Sequence, residues 1–354
     1  MKLTRRSILG AAAASAAALL SKPLGGAAQS SGKLIIRSDG GAYEEAERKA
    51  IYDPFTAATG IQIQTIPSTA AQVVAMVQSG SVQLDVLDLG ESQMLLLDKK
   101  GALAPIDYAD FKLTNPGDLI PSIKRDRMVG NIYFATVMGY STRAFAGSAH
   151  PKNWRDFWDT AKFAGPRTLP DVSSGAAPLE FALLADGVPM GKLYPLDVQR
   201  AFRSLSRIKA HVVKWWTTGA ESIELLEGGE ALGAALWNGR IQGPVDKGAP
   251  LAIEWNQSMR QRQFWGIIKG APNIENAQRF VDFALQPRIQ AELAKYIPYG
   301  PTNKKAFQYI NKADAAKLPS SPEHYAVSFD QDAQWWVDHL QDVTVAWQKW
   351  LISG

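Results

Sequence analysis

The 354-residue sequence contains no cysteine. This absence excludes disulfide bonds, thiolate metal sites, a cysteine nucleophile and a lipid-modified N-terminal cysteine. Histidine is also scarce, and its positions show neither the HxxxH nor the HExxH spacing of metal-binding helices. The four positions are His150, His211, His324 and His339. We therefore expect neither a metal site nor a cofactor.

Motifs for nucleotide binding and for hydrolysis are missing as well. Gly40 and Gly41 follow the first predicted strand, but the chain has no GxGxxG and no GxxxxGK[ST] motif. The nucleophile motif GxSxG is absent, and the SxxK matches at 30–33 and 206–209 lack SDN and KTG partners. The sequence therefore argues against an enzyme. An enzyme remains the alternative from another functional class, and a search for turnover would identify it.

The chain also lacks an apolar run of the roughly 20 residues that a membrane span requires. Residues 8–20 form an apolar run that follows the basic segment MKLTRRS and precedes SKPLGGAA, an order typical of a signal peptide over residues 1–28. Arg5 and Arg6, with Lys22 after the apolar run, favour twin-arginine export, although a chance pair in an ordinary secretory signal is the alternative. We expect a periplasmic protein without stable membrane insertion, beginning near Gln29.

An excess of one charge is likewise missing from the predicted mature chain. The formal net charge is +4, and the first 28 residues contain four basic and no acidic residues. Without them, 34 basic residues face 34 acidic ones. A nucleic-acid partner or an anionic membrane surface is therefore not expected.

The alternation of short apolar runs with amphipathic segments predicts an α/β protein. A length of 354 residues exceeds the roughly 250–300 that one core supports, so two lobes are expected. We predict that residues 29–140 form the first part of lobe 1, that 141–265 form lobe 2, and that 266–354 return to lobe 1 and end in helices. The segments LAIEW and QFWGIIKG are predicted to be two separate strands, and NWRDFWDTAKFAG a helix.

Tryptophan, by contrast, is abundant, with 11 residues. Trp215 and Trp216 end one predicted strand, Trp237 ends the next, Trp255 ends a third, and Trp265 lies in a fourth. Ligands of α/β proteins bind beyond the carboxyl ends of strands, where an aromatic face can stack on a cation. We expect two or more of these rings to line a cleft. Core packing is the alternative for each of them.

Several further segments occur together and in a characteristic order. They are the export signal, Gly40-Gly41-x-Tyr43 after the first strand, PFTAATGIQI at 54–63, Trp237-Asn238-Gly239-Arg240, and YIPYGPTNKKA at 296–306. Together they resemble the periplasmic solute-binding proteins of polyamine-type (spermidine/putrescine) ABC importers. The resemblance implies a periplasmic binding protein-like fold, with two α/β lobes of mixed sheets joined by hinge strands. It also implies a ligand cleft between the lobes, closure on binding, and ABC permease subunits as protein partners. We expect a monomer.

The resemblance implies particular ligand-binding residues. In this family aromatic rings enclose the methylene chain of the ligand and carboxylates hold its amines. Tyr43 and Trp237 match such rings, and Glu91 and Ser92 follow the third predicted strand where a ligand-facing residue is expected. The complete predicted set is Asp39, Gly41, Tyr43, Glu91, Ser92, Asp171, Ser173, Trp215, Trp216, Trp237, Asn238, Trp255 and Arg262.

The sequence departs from the polyamine pattern at one point. The family has a Trp-x-Asp pair on the strand before the IENAQRF-like helix, where this chain reads Arg262-Gln263-Phe264-Trp265. Carboxylates that could hold an amine are Asp39, Glu91 and Asp171. The leading hypothesis is a receptor for a small polyamine or another amine. A zwitterion such as a γ-amino acid is the alternative, with Arg240 or Arg262 binding its carboxylate.

Overall fold

The computed structural model of the protein describes residues 32–353, apart from 39, 148, 176 and 177. The predicted signal peptide, residues 1–28, and the predicted site residue Asp39 lie outside the described residues. The described chain is a mixed α/β protein, which confirms the predicted fold class.

Eleven strands within the described residues form one mixed sheet. They are β1 (Lys33–Arg37), β2 (Gln62–Ile66), β3 (Val86–Gly90), β4 (Leu103–Ala104), β5 (Met128–Ser141), β6 (Arg167–Pro170), β7 (Val212–Trp216), β8 (Gly233–Trp237), β9 (Leu251–Ile268), β10 (Gly300–Pro301) and β11 (Phe329–Asp330). The strand order is β2-β1-β3-β9-β5-β8-β6-β7, with β10 paired to β5 and both β4 and β11 paired to β9.

Helices connect these strands. They are α1 (Gly41–Glu47), α2 (Asp53–Thr59), α3 (Ala70–Ser79), α4 (Glu91–Lys99), α5 (Trp154–Trp158), α6 (Leu179–Ala185), α7 (Val198–Ile208), α8 (Gly219–Glu227), α9 (Asn238–Asp246), α10 (Ile274–Ala284), α11 (Pro287–Tyr296), α12 (Lys312–Ala315), α13 (Pro322–Ala326) and α14 (Ala333–Ile352). A π-helical turn, Arg48–Tyr52, joins α1 to α2. No helix within the described residues has both the length and the apolarity of a membrane span.

Local sequence signals account for many helix ends. Thr69 begins α3 with a capping box, because its hydroxyl accepts from Gln72 N–H and the Gln72 side chain accepts from Thr69 N–H. Gly60 ends α2 with a left-handed φ of 77°, which glycine adopts without steric cost.

Parallel strands lie on both flanks of the sheet, with long antiparallel strands between them. Strand β1 pairs in parallel with β2 and β3, and β6 pairs in parallel with β7 and β8. The centre is the antiparallel pair β5 and β9. The prediction of two separate strands over 251–270 was wrong, because β9 continues for 18 residues along β5. The polar residues 256–258 that interrupt the apolar pattern coincide with a register shift, and Gln257 has a φ of 62°.

The predicted helix at 153–165 is also shorter than expected, since α5 ends at Trp158. The buried Arg167 guanidinium donates to the carbonyl oxygens of Phe157, Phe163 and Gly165. The segment therefore folds back around this side chain, which satisfies its donors in the core.

Two large groups of buried apolar side chains form the core. The first core cluster packs β1, β3, α1, α2, α4 and α10. The second core cluster packs α5, α6, α7 and α14. The long strands contribute to both, since Phe134 and Phe264 lie in the first cluster and Met138 and Met259 lie in the second. Strands β5 and β9 therefore connect the two clusters.

Candidate ligand-binding cleft

A cavity of about 480 Å³ lies where several strands give way to helices. Its lining comes from the junctions of β1 with α1, β3 with α4, β7 with α8, and β8 with α9, together with residues of β5 and β9. In α/β proteins this carboxyl edge of the strands is the usual ligand position. Both flanks of the sheet contribute, so the cavity is a cleft between them.

One wall of the cleft is a continuous row of aromatic rings. The ring centroids of Tyr43 and Tyr299 are 5.6 Å apart, those of Tyr299 and Phe134 are 5.9 Å apart, and those of Phe134 and Trp237 are 6.1 Å apart. Trp216 lies behind Trp237, with a centroid distance of 5.4 Å and a T-shaped orientation. These rings offer apolar faces to the carbon chain of a ligand.

Arg240, in the first turn of α9, lines the same cleft and has no hydrogen-bonding or ionic partner among the described residues. Its Nε atom is buried and makes no hydrogen bond, and no carboxylate of the described residues forms an ion pair with it. Its guanidinium lies 3.3 Å from the position that a Cβ atom of Gly41 would occupy. Burial raises the pKa of Tyr299 to about 12, and the nearby charge of Arg240 acts against this rise. No acidic side chain in the part of the chain that the structure describes therefore compensates the positive charge of Arg240 in this wall.

Arg262, on β9, is in a different situation. Its Nε atom donates to Glu91 Oε2 at 2.7 Å, and Arg125 donates to the other oxygen, Glu91 Oε1. Glu91 is only 7% exposed, and both of its oxygens are engaged. This carboxylate is therefore occupied by two arginines and is not available to a ligand amine.

Asp88, in the middle of β3, is the second carboxylate that lines the cleft among the described residues. It accepts from Asn131 Nδ2 at 2.9 Å and also from Tyr43 and Gln263, and it is 2% exposed. Burial raises its pKa, and these hydrogen bonds act against the rise. Its lone pairs are satisfied within the protein.

Glu47 lies beside Asp88 and is completely buried. Its Oε2 atom accepts from Tyr52 Oη at 2.8 Å, whereas its Oε1 atom has no N–H or hydroxyl donor among the described residues. Burial, and then the negative charge of Asp88, raise the pKa of Glu47 well above its ordinary value. Two adjacent buried carboxyl groups are stabilised when they share one proton, and the raised pKa of both leads us to predict a shared proton between Glu47 and Asp88.

The cavity brings together most of the predicted ligand-binding residues. Those that line it are Gly41, Tyr43, Glu91, Ser92, Ser173, Trp237 and Arg262. Asn238 lies beneath it instead, where its side chain donates to Pro298 O at 2.7 Å and accepts from Ala135 N–H at 3.0 Å. Asn238 thus fixes the start of α9, and through it the position of Arg240.

Two neighbouring tryptophans of β7 lie outside the cavity lining, contrary to the prediction that strand-end rings face the ligand. Successive strand residues point to opposite faces of a sheet. Trp215 contacts Trp347 and Trp350 of α14, with centroid distances of 5.0 and 5.4 Å. Trp216 is fully buried behind Trp237. Trp216 is therefore a core residue, and Trp215 is a partly buried ring that packs against the second core cluster.

Trp255 and Asp171 also lie outside the cavity lining. Trp255 does not end a strand, because β9 continues to Ile268, and its ring stacks on His324 at 3.7 Å. Asp171 caps the turn that follows β6 by accepting from Ser173 N–H, and its other oxygen accepts from Trp347 Nε1 at 2.8 Å. The expectation of several tryptophans in the cleft is wrong for the described cavity, where only Trp237 among the five rings lies in the lining.

Sequence reasoning did not select Arg37, Asp88, Phe134, Gln261 and Tyr299, all of which line the cavity. Tyr299 lies in the YIPYGPTNKKA segment and so could have been found from it. Phe134 and Gln261 lie inside the long central strands, where no local signal distinguishes a cleft residue from a core residue. Within the described residues, no group of three or more histidine, cysteine, aspartate or glutamate side chains is arranged to hold a metal ion.

The sequence matches the family of bacterial extracellular solute-binding proteins over residues 50–322. It is 33% identical to the gamma-aminobutyric acid-binding protein of Pseudomonas aeruginosa, and the match covers 98% of this chain and 96% of that protein. The spermidine/putrescine-binding periplasmic protein of Escherichia coli K12 is more distant, with 24% identity over 74% of this chain and 76% of that protein.

Solved structures of the same kind are also similar. A periplasmic binding protein of A. tumefaciens R10 in complex with agropinic acid is 32% identical, with a TM-score of 0.82 over 91% of this chain and 99% of that one. A structure described as a GABA receptor is 31% identical, with a TM-score of 0.82 over 91% of this chain and 98% of that one. Proteins of this family bind small molecules and deliver them to ABC permeases. The chain therefore belongs to the bacterial extracellular solute-binding proteins and is a substrate-binding protein of an ABC transporter.

Proposed function

We propose that this protein captures a small carboxylate-bearing solute in the periplasm, with Arg240 binding the carboxylate. The observation that carries the proposal is the guanidinium of Arg240 in the cleft wall, which pairs with no acidic side chain among the described residues. A charged donor without an acceptor is costly where water is partly excluded, and a carboxylate is the group that complements it. Each charge-assisted hydrogen bond of this kind contributes about 1.5–3 kcal/mol.

The names of the relatives support an acidic ligand. The relatives at 31–33% identity are described by gamma-aminobutyric acid and agropinic acid, whereas the polyamine binders reach only 22–24%. A γ-amino acid, the alternative that the sequence left open, would place its carboxylate at Arg240 and its methylene groups against Tyr43, Phe134 and Trp237. The expectation of a polyamine loses support on physical grounds, because a polyamine would meet Arg240 while the carboxylates of Asp88 and Glu91 are already satisfied.

The proposal also covers how the cleft closes, how the protein is exported and how it releases its ligand. The two core clusters would be the two lobes, and β5 and β9 the connection about which the cleft closes. The protein would be exported by the twin-arginine route, act as a monomer, and release its ligand unchanged. A thermal-shift gain on ligand addition without any turnover is expected of such a receptor.

The test uses two ligands of equal chain length that differ in their end groups. Calorimetric titration with GABA and with putrescine should give binding heat for GABA and little for putrescine. Arg240→Gln should weaken GABA by about two decades, which corresponds to one or two lost charge-assisted hydrogen bonds. The control is Arg127→Gln, which removes an arginine that pairs with Asp98 at 3.2 Å and lies outside the cavity lining. Tight putrescine binding that Arg240→Gln does not change would contradict the proposal.

A further inference from the structure

Helices α4 and α14 belong to different core clusters and yet pack against each other. Leu97 of α4 lies in the first core cluster, whereas Trp336 of α14 lies in the second. An ion pair joins the two helices, because Lys99 Nζ lies 3.2 Å from Asp338 Oδ1. The contact therefore connects the two parts of the protein that the proposed function treats as lobes.

The same two helices begin at the cleft. Ser92, in the first turn of α4, and Ala333, the first residue of α14, both line the cavity. Lys99 and Asp338 lie farther along their helices, and a rise of about 1.5 Å per residue places the ion pair about 8–11 Å beyond these lining residues. A ligand in the cavity can therefore influence the pair only by changing the relative position of the two helices.

A neighbouring ion pair of α4 lies within one core cluster. Asp98 Oδ1 is 3.2 Å from an Nη atom of Arg127, which immediately precedes Met128 of the first core cluster. The two pairs have the same separation, and all four of their side chains are at least one-third exposed. Movement of one cluster relative to the other would separate Lys99 from Asp338 and would leave Asp98 and Arg127 together.

We propose that α14 is an interlobe latch: its contact with α4, including the ion pair between Lys99 and Asp338, forms when the cleft closes and stabilises the closed state. This inference rests on the proposed function, because it assumes that the two core clusters are lobes that close on the ligand. An exposed ion pair adds little to folding stability. It nevertheless changes the apparent affinity when the closed state is a minority without ligand, because the affinity scales with the closed fraction.

Affinity measurements test the latch. In titration calorimetry with GABA at low ionic strength, Asp338→Lys should weaken binding about two- to fivefold, because it places two positive charges at the contact. The charge-swapped variant Lys99→Asp/Asp338→Lys should restore the affinity. At about 1 M salt, where the Debye length is about 3 Å, the loss should disappear. Asp98→Asn is the control and should change the affinity less than 1.5-fold, on the order of the smallest exposed ion pairs.

Distance measurements test the movement itself. The chain contains no cysteine, so introduced cysteines can carry nitroxide labels at chosen sites. Glu45→Cys on α1 and Gln199→Cys on α7 place labels at exposed positions of helices that pack in the first and second core clusters. The pulsed-EPR distance between them should change when GABA binds. Adding Asp338→Lys should shift the distance distribution in the opposite direction, both with and without GABA.

The outcomes separate the latch from the proposed function. A change of distance on GABA binding that Asp338→Lys leaves unaltered would overturn the latch and leave lobe closure intact. A loss of affinity in Asp338→Lys without a shift in distance would also overturn it. If saturating GABA produces no change in distance, lobe closure and the latch both fail. If GABA gives no binding heat, the ligand-free distance distribution of Asp338→Lys still decides the latch, and titration with putrescine decides the proposed function.

Discussion

Arg240 of α9 and Arg262 of β9 line the same cleft, and their surroundings among the described residues differ. Arg262 donates to Glu91, which also accepts from Arg125, so its charge is used to hold α4 against β9. Arg240 has no acidic partner among the described residues and lies against the backbone of Gly41. The same residue type therefore supports the wall in one place and, under the proposed function, offers its charge to the ligand in the other. The comparison teaches that the partners of an arginine, rather than its residue type, decide whether its charge is used within the protein.

Among the ion pairs, the largest expected effect on the free energy of unfolding comes from removing the Glu91 carboxylate, which pairs with both Arg125 and Arg262. Glu91→Ala would leave Arg125 and Arg262 without their common partner. Removal of one member of a fully buried ion pair costs about 3–5 kcal/mol, but these arginine side chains are 32% and 22% exposed, so water partly replaces the lost partner. Urea unfolding should therefore show a loss of about 2–3 kcal/mol, whereas Glu221→Ala, which removes a more exposed pair with Lys214 at 3.2 Å, should cost about 1 kcal/mol or less. Equal losses of unfolding free energy in the two variants would contradict the expectation that the Glu91 ion pairs stabilise the fold more than the Glu221 pair does.

The next effect concerns the aromatic wall beside Arg240. Trp237→Ala removes a half-buried ring that contacts Phe134 and Trp216, and should cost about 3 kcal/mol of stability. It should also weaken ligand binding by one to two decades, because the ring lines the cavity. Trp215→Ala is the matched control, with a similar loss in the unfolding free energy and unchanged affinity. Equal affinity in both variants would remove Trp237 from the binding wall.

The shared proton of Glu47 and Asp88 predicts a pH dependence. The raised pKa of Glu47 means that the folded state keeps a proton that the unfolded state loses near its ordinary value of 4.5. The unfolding free energy should therefore fall as pH rises from that value toward the raised pKa, by about 1.4 kcal/mol for each pH unit of the window.

Glu47→Gln removes this titration while it keeps a donor toward Asp88. Urea unfolding between pH 5 and pH 8 should show a shallower decline for Glu47→Gln than for the natural protein. The exposed variant Glu45→Gln serves as the control and should keep the natural slope. A wild-type unfolding free energy that rises over this range would exclude the shared proton.

The smallest effect concerns the backbone against which Arg240 lies. Gly41 has a φ of 70°, so Gly41→Ala costs about 1 kcal/mol in backbone strain and places a Cβ atom 3.3 Å from the guanidinium. Gly80→Ala is a close control, since its φ is 68° and nothing lies within 4 Å of the new Cβ atom. Both variants should lose similar stability, but only Gly41→Ala should weaken binding of the carboxylate, by a few fold in calorimetry.

Much of the fold could be predicted because its signals are local. Apolar runs such as 33–38 and 84–89, and helix ends such as Gly60, depend on neighbours in the sequence. The long strand β9 could not be predicted, because its continuity depends on pairing with β5 more than a hundred residues away. The polar residues 256–258 resemble a strand end until the partner strand is known.

The residues of the candidate site likewise include some that the sequence could identify and some that it could not. Tyr43, Glu91 and Trp237 were found because they follow strands at the edge where ligands bind. Trp215, Trp216 and Trp255 satisfied the same rule and yet pack elsewhere. A position at the end of a strand places a residue at the ligand-binding edge of the sheet. It does not determine whether the side chain lines the cleft or packs against a neighbouring helix.

The sequence by itself determined the α/β class, the order of strands and helices up to β8, the absence of thiol chemistry and the junctions from which a cleft would be built. The tertiary structure decided which charge is left in that cleft. Glu91, Arg125 and Arg262 are far apart in the chain and meet only after β3, β5 and β9 are assembled. Their pairing occupies the Glu91 carboxylate, whereas Arg240 has no acidic partner among the described residues, because electrostatic compensation depends on distances in space that sequence spacing does not contain.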